Sequence, residues 1–160
     1  MAAACPALLG EQDFKSFCKV ASAVGKPTHR CVMRAEFGHE VAFGEDILTF
    51  TIEGNAFLHS MVRTIVGTLV EIGMHRRDPQ WMREVIDACD RTAAGPTAPA
   101  CGLTFMGARA SHSWAMVRTI ECRPRRACRA RLGECPARPY LSHTMCELRV
   151  CNICSWRATC

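Results

Sequence analysis

Three residues in the run 57–74 have the types and spacing to do chemistry: His59, Arg63 and Gly67, at i, i+4 and i+8. On a helix that spacing makes one line along a single face. An arginine on such a line can pair bidentately with a carboxylate or a phosphate. A glycine in mid-helix costs about 1 kcal/mol against alanine, and close approach of another group is a physical reason to keep one. The simpler alternative is an amphipathic helix carrying a solvated basic spot, with His59 as a surface histidine. At the end of the same run, His75-Arg76-Arg77 suit either phosphate contacts or the negative end of a helix dipole. Turn and surface roles explain the carboxylates Glu45, Asp46, Asp87 and Asp90. Cys5, Cys18, Cys31, Cys89 and Cys101 lack ligand spacing and read as small core residues rather than nucleophiles.

The elements that must position these residues are legible from periodicity. Residues 57–74 form the clearest helix. At about 100° per residue, Leu58, Met61, Val62, Ile65, Val66, Leu69 and Ile72 share one half of the wheel, and His59, Ser60, Arg63, Thr64, Gly67, Thr68 and Glu71 share the other. A shorter helix is expected over 78–89, with Asp78 as N-cap and Pro79 in first position. Residues 2–9 read as a helix ending at Gly10, and 11–17 as a turn. Residues 28–37 and 47–52 read as strands, the latter with Leu48, Phe50 and Ile52 on one face. Residues 38–46 read as a polar turn. Residues 91–102 form a Pro/Gly-containing loop, and 103–109 a last strand. A few strands around one long helix predict an α+β fold, with an antiparallel or mixed sheet packed by that amphipathic helix.

The chain has 160 residues, 49% hydrophobic and 22% charged, an ordinary balance for a globular protein and not for a collagen-like or wholly disordered one. No apolar run reaches the ~18 residues of a membrane span. Residues 1–9 lack the basic start and long apolar run of a signal peptide, so a cytoplasmic location is expected. Charge divides the chain. Residues 1–110 carry 11 basic and 12 acidic residues, whereas 111–160 carry nine Arg, no Lys and three acids. The formal net charge of +5 therefore belongs to the last fifty residues and says nothing about what the body binds.

Seven of the twelve cysteines also lie in 111–160. This segment loses the body's periodicity and reads as a separate, disordered or non-native tail. Two other readings stand beside that one. Cys146, Cys151, Cys154 and Cys160, with His143 nearby, could offer zinc ligands, although only Cys151 and Cys154 form a C-x-x-C pair. The arginines of 123–131 could contact RNA phosphates.

Four segments carry a family resemblance. The run EGNAFLHSMVRTIVGTLVEIG (53–73) resembles the signature of the tRNA pseudouridine synthase A family. In the same order, LLGEQDFKSF (8–17) is similar to that family's LLGExDFxSF stretch. RTAAGPTAP (91–99) is similar to the loop before its last core strand, and GLTF (102–105) to the GLYL that opens that strand. Four ordered matches across 1–110 are far more specific than one short motif.

The resemblance implies isomerisation of uridine to pseudouridine in the tRNA anticodon stem-loop. The C1′–N1 bond breaks, the uracil turns, and C1′ rejoins at C5. It implies no metal or organic cofactor, tRNA as partner, a homodimer, and an Asp carboxylate acting on a flipped nucleotide. By position it makes Arg63 the residue that pairs with and orients that Asp, and Leu103 the residue that packs against the target base. His59 lies in the family's RNA-facing stretch, whereas Arg76 and Arg77 are RNA-contact candidates by their charge alone. Ser60 and Thr64 stand where the family more usually has His and Asn. The family's GRTDAGVHA motif, which holds the Asp, has no counterpart here. Asp13, Asp46, Asp78, Asp87 and Asp90 sit in other contexts, and the one tyrosine is Tyr140. The expectation is the C-terminal half of a catalytic domain over 1–110, inactive alone. The alternatives are a non-catalytic RNA-binding remnant or a Cys-rich zinc-binding tail on a passive body.

Overall fold

The computed structural model describes residues 1–42, 45–110, 113–115 and 145–151. A 3-10 segment, Ala2–Leu8, leads into β1 (Gly10–Asp13), a 3-10 turn at Lys15–Phe17 and the short helix α1 (Val20–Ala23). The strands β2 (His29–Ala42) and β3 (Glu45–Gly54) follow, then the helices α2 (Met61–Gly73) and α3 (Trp81–Ala88). A 3-10 turn at Arg91–Ala93 precedes β4 (Leu103–Ala110), β5 (Ser113–Ala115) and β6 (Met145–Cys151). The strands form one sheet in the order β1-β2-β3-β6-β4-β5. All its pairings are antiparallel. The architecture is α+β.

Several local expectations shift, each for a physical reason. Residues 38–42 and 45–46 are strand rather than turn, because β3 continues alongside them to the Ala42–Glu45 pair. Their polarity reflects a wet hairpin end, not a break in pairing. Residues 10–13 pair with β2 from Gly10↔Val32 to Asp13↔His29 and are likewise strand. Pro6 sits inside Ala2–Leu8, where it cannot donate to an α-helical ladder. The helix α3 begins at Trp81, whose N–H donates to the Asp78 carbonyl at 3.0 Å. The aspartate's main chain, not its side chain, therefore opens that helix.

The core gathers on the helical side of the sheet. Val32, Phe50 and Ile52 meet Ile65 and Leu69 of α2, Met82 and Val85 of α3, and Leu8, Phe14 and Phe17 from the N-terminal segments. Phe37 and Phe50 pack with ring centroids 5.0 Å apart and tilted by 46°, an arrangement aromatic quadrupoles favour. Truncating any of these large buried side chains to alanine costs about 2–5 kcal/mol.

Two corrections concern the elements nearest the candidate site. First, α2 is not amphipathic in its surroundings. Thr64, Gly67 and Thr68 are buried along with the apolar positions, because residues 94–98 cover that side. The helix also starts later than residue 57. Ser60 is left-handed, with φ 65°, so His59 lies before the helix and the His59–Arg63–Gly67 line does not form. Second, the last fifty residues are not wholly separate from the body. β6 pairs with β3 from Thr49↔Cys151 to Gly54↔Cys146 and with β4 from Leu103↔Val150 to Arg109↔Met145.

Candidate active site

The buried polar side of α2 is built against one loop. Gly67 is where the two backbones come closest: a Cβ there would lie 1.7 Å from the Pro96 carbonyl oxygen. That is the close approach a mid-helix glycine implies. At the next residue, the Thr68 hydroxyl donates to the Thr64 carbonyl at 2.9 Å and accepts the Gly95 N–H at 3.0 Å. Gly95 is needed in turn, since its Cβ would lie 2.9 Å from the Thr68 Cα. Buried backbone groups of the loop thus find partners on the helix, as they must.

Arg63 is fixed by the end of the same loop. Its Nε donates to the Ala98 carbonyl at 2.6 Å, and the Ala98 N–H donates to the Arg63 carbonyl at 3.0 Å. Two reciprocal bonds with one residue fix both main chain and side chain. The guanidinium is half-buried and pairs with no carboxylate among the described residues. Its Nη atoms are not used by the Ala98 contact. A planar fork so held can take a carboxylate or phosphate with both terminal nitrogens.

Arg91 braces the loop from its other side, a role sequence reasoning missed. Its Nη1 donates to the Gly95 carbonyl at 3.0 Å and its Nη2 to the Thr97 hydroxyl at 3.0 Å. The Thr97 hydroxyl is 3.4 Å from that of Thr64. Asp90 caps the turn that presents Arg91, accepting from the Thr92 N–H at 3.0 Å and the Thr92 hydroxyl at 2.6 Å. These two bonds, side chain first, hold the Asp90 carboxyl below its ordinary range. The available signal was the pair Thr64 and Thr68, four apart on the helix with a glycine between, facing a loop with its own glycine.

The remaining candidates are distributed rather than gathered. Leu103 opens β4 and packs half-buried against the core. Its N–H donates to the Ala100 carbonyl at 3.2 Å, so one short loop joins it to the Arg63 contact at Ala98. His59 is exposed, with Nδ1 3.0 Å from the Ser60 hydroxyl. Arg76 and Arg77 follow α2 at its far end, roughly 20 Å along the axis from Arg63 at 1.5 Å rise per residue. Arg76 pairs with Glu71 at 3.1 Å, and the Arg77 guanidinium carbon lies 5.1 Å from the Trp81 ring centre. Trp81 and Arg77 line a groove of about 530 Å³ that Arg63 does not reach.

Cys5 and Cys18 are buried, and burial pushes both thiols up, away from nucleophilic use. Cys101 is exposed, against the expectation of a core residue. No group of three His, Cys, Asp or Glu able to hold a metal occurs among the described residues. His143, Cys154, Cys160 and the arginines of 123–131 lie outside them. No described helix is long and apolar enough to cross a membrane.

Residues 4–109 match the family model described as tRNA pseudouridine synthase. The chain is 47% identical over 98 residues to a tRNA pseudouridine synthase A of Brevibacillus brevis, covering 61% of this chain and 38% of that protein. It is 42% identical over 104 residues to one of Francisella tularensis subsp. novicida, covering 65% of this chain and 38% of that protein. The chain therefore spans well under half the length of the curated relatives it matches.

Proposed function

The chain belongs to the tRNA pseudouridine synthase family, and from that premise we propose that it supplies one part of a tRNA uridine isomerase site. The reaction is the conversion of uridine to pseudouridine in the anticodon stem-loop, in the cytoplasm and without metal or organic cofactor. Net atoms are unchanged: C1′–N1 breaks, C1′–C5 forms, the C5 proton leaves and N1 gains one. The observation that carries this reading is Arg63, anchored through Nε to Ala98 with its terminal nitrogens directed to no carboxylate among the described residues.

In this reading Arg63 takes an Asp carboxylate from a segment this chain does not contain. A positioned guanidinium keeps such a carboxylate ionised and correctly turned, which a desolvated carboxylate could not manage alone. Leu103, tied to the same loop, offers an apolar edge to the flipped base. His59, at the Arg63 end of α2, meets the RNA backbone. Arg76 and Arg77 meet it farther along the stem.

The chain alone is inactive in this reading. Incubating it with an unmodified tRNA transcript and measuring pseudouridine in the anticodon arm tests this. No product is expected. Product that disappears in an Arg63→Ala variant would show that an Asp of this chain reaches Arg63 and would overturn the assignment of the carboxylate to another segment.

A further inference from the structure

The sheet has a seam. β3, and β4 up to Arg109, lie within the family-matched residues 4–109, yet the two strands do not pair with each other. β6 stands between them and pairs with both, and it comes from residues 145–151, outside the match. Without an intervening strand the matched region would be two sheet pieces with facing, unsatisfied backbone edges. Such edges recruit strands.

The walls of the gap define what fits it. Phe50 on β3 and Leu103 on β4 both register with Val150, and Ile52 and Phe105 both register with Leu148. Phe50 and Ile52 are buried, and Leu103 packs on the core. The gap therefore asks for apolar residues at alternate positions on this face. One position beyond the Ile52–Leu148 pair, Glu53 registers with Glu147, by residue type a like-charge pair, which antiparallel strands disfavour.

We propose that the β3–β4 gap is an exchangeable strand-acceptor site, which β6 occupies within this chain and which binds an extended strand of a second polypeptide. The incoming strand runs antiparallel to both walls, is apolar where it faces Phe50, Ile52, Leu103 and Phe105, and is neutral or basic opposite Glu53. Main-chain bonds supply the affinity and the alternate side chains the register, as in strand addition generally. The relatives extend well beyond the part that this chain matches, and in this proposal the incoming strand comes from that remainder. The proposal rests on the extent of the family match and not on the role of Arg63.

Hydrogen exchange on the full chain tests it, with a synthetic peptide of the sequence of residues 143–153 carrying Glu147→Lys as the probe. The expected result is exchange about tenfold faster at residues 145–151 when the peptide is added, with 45–54 and 103–108 still protected. The same Glu147→Lys change made in the chain should strengthen its own β6 and reduce peptide uptake. Unchanged exchange at 145–151, whether or not the peptide binds elsewhere, overturns the proposal. So does loss of protection at 45–54 and 103–108 together with 145–151. Uptake unaffected by Glu147→Lys in the chain overturns the proposed register.

Discussion

The two ends of α2 treat arginine differently. Near the start, Arg63 is half-buried and bonded to a main-chain carbonyl that is itself locked by the helix. Past the end, Arg76 is mostly exposed and answers Glu71 of its own segment, while Arg77 lies over Trp81. Exposed pairs of the second kind add little and are screened by salt. The difference shows how a common surface residue becomes a positioned one. A second backbone must approach closely enough to hold it, and the glycine that permits this is part of the site.

Substituting the mid-helix glycine that packs on the Arg63 loop, and the glycine at the far end, breaks the comparison most directly. At Gly67 an added Cβ meets the Pro96 carbonyl at 1.7 Å, an obstacle of backbone. At Gly73 it meets the Met1 side chain, Cε at 2.1 Å and Cγ at 2.7 Å, which is flexible and can rotate away. Gly67→Ala should cost about 1–3 kcal/mol despite the gain in helix propensity. Gly73→Ala should be neutral or stabilising by up to about 1 kcal/mol. Thermal denaturation of the two variants reads both.

An intermediate effect comes from Asp90, which braces the Arg63 end through the turn before Arg91. Its carboxyl is held below the ordinary range in the folded chain. The unfolded state therefore binds more protons there, and stability rises with pH. Wild type should melt above Asp90→Asn at neutral pH. That gap should close as pH falls below about 4, through the lowered folded value of Asp90. A gap that persists in acid would mean the side chain acts without its charge.

The smallest effect belongs to the far end. Arg76→Ala should change stability by no more than about 0.5 kcal/mol, and raised salt should erase the change. A loss comparable to that of Gly67→Ala would remove the contrast between the two ends.

Much of this arrangement was legible in the sequence. The α+β class, the strand around Phe50, the helix around Ile65 and the reason for Gly67 follow from periodicity and residue type. The solvated face ascribed to α2 does not survive, because a 3.6-residue period cannot see that residues 94–98 lie over Thr64 and Thr68. The strand ends at 38–42 and 45–46 were hidden for a related reason: they are rich in polar residues, and only the pairing of β2 with β3 makes them strand. Arg91 was unreadable as a brace, since its partners are carbonyls and hydroxyls rather than charges. β6 was hidden by composition. Its alternation is ordinary for a strand, but it lies among Arg- and Cys-rich neighbours that match nothing in the body.

The positioned guanidinium is tested most directly by the arginine side-chain region of a ¹H–¹⁵N spectrum of the chain. A slowly exchanging Nε–H resonance is expected that disappears in Arg63→Lys and persists in Arg76→Ala, since the Arg63 Nε–H is held by the Ala98 carbonyl. Rapid exchange at the Arg63 Nε–H, as fast as at Arg76, would contradict a preset fork and leave Arg63 an ordinary surface arginine.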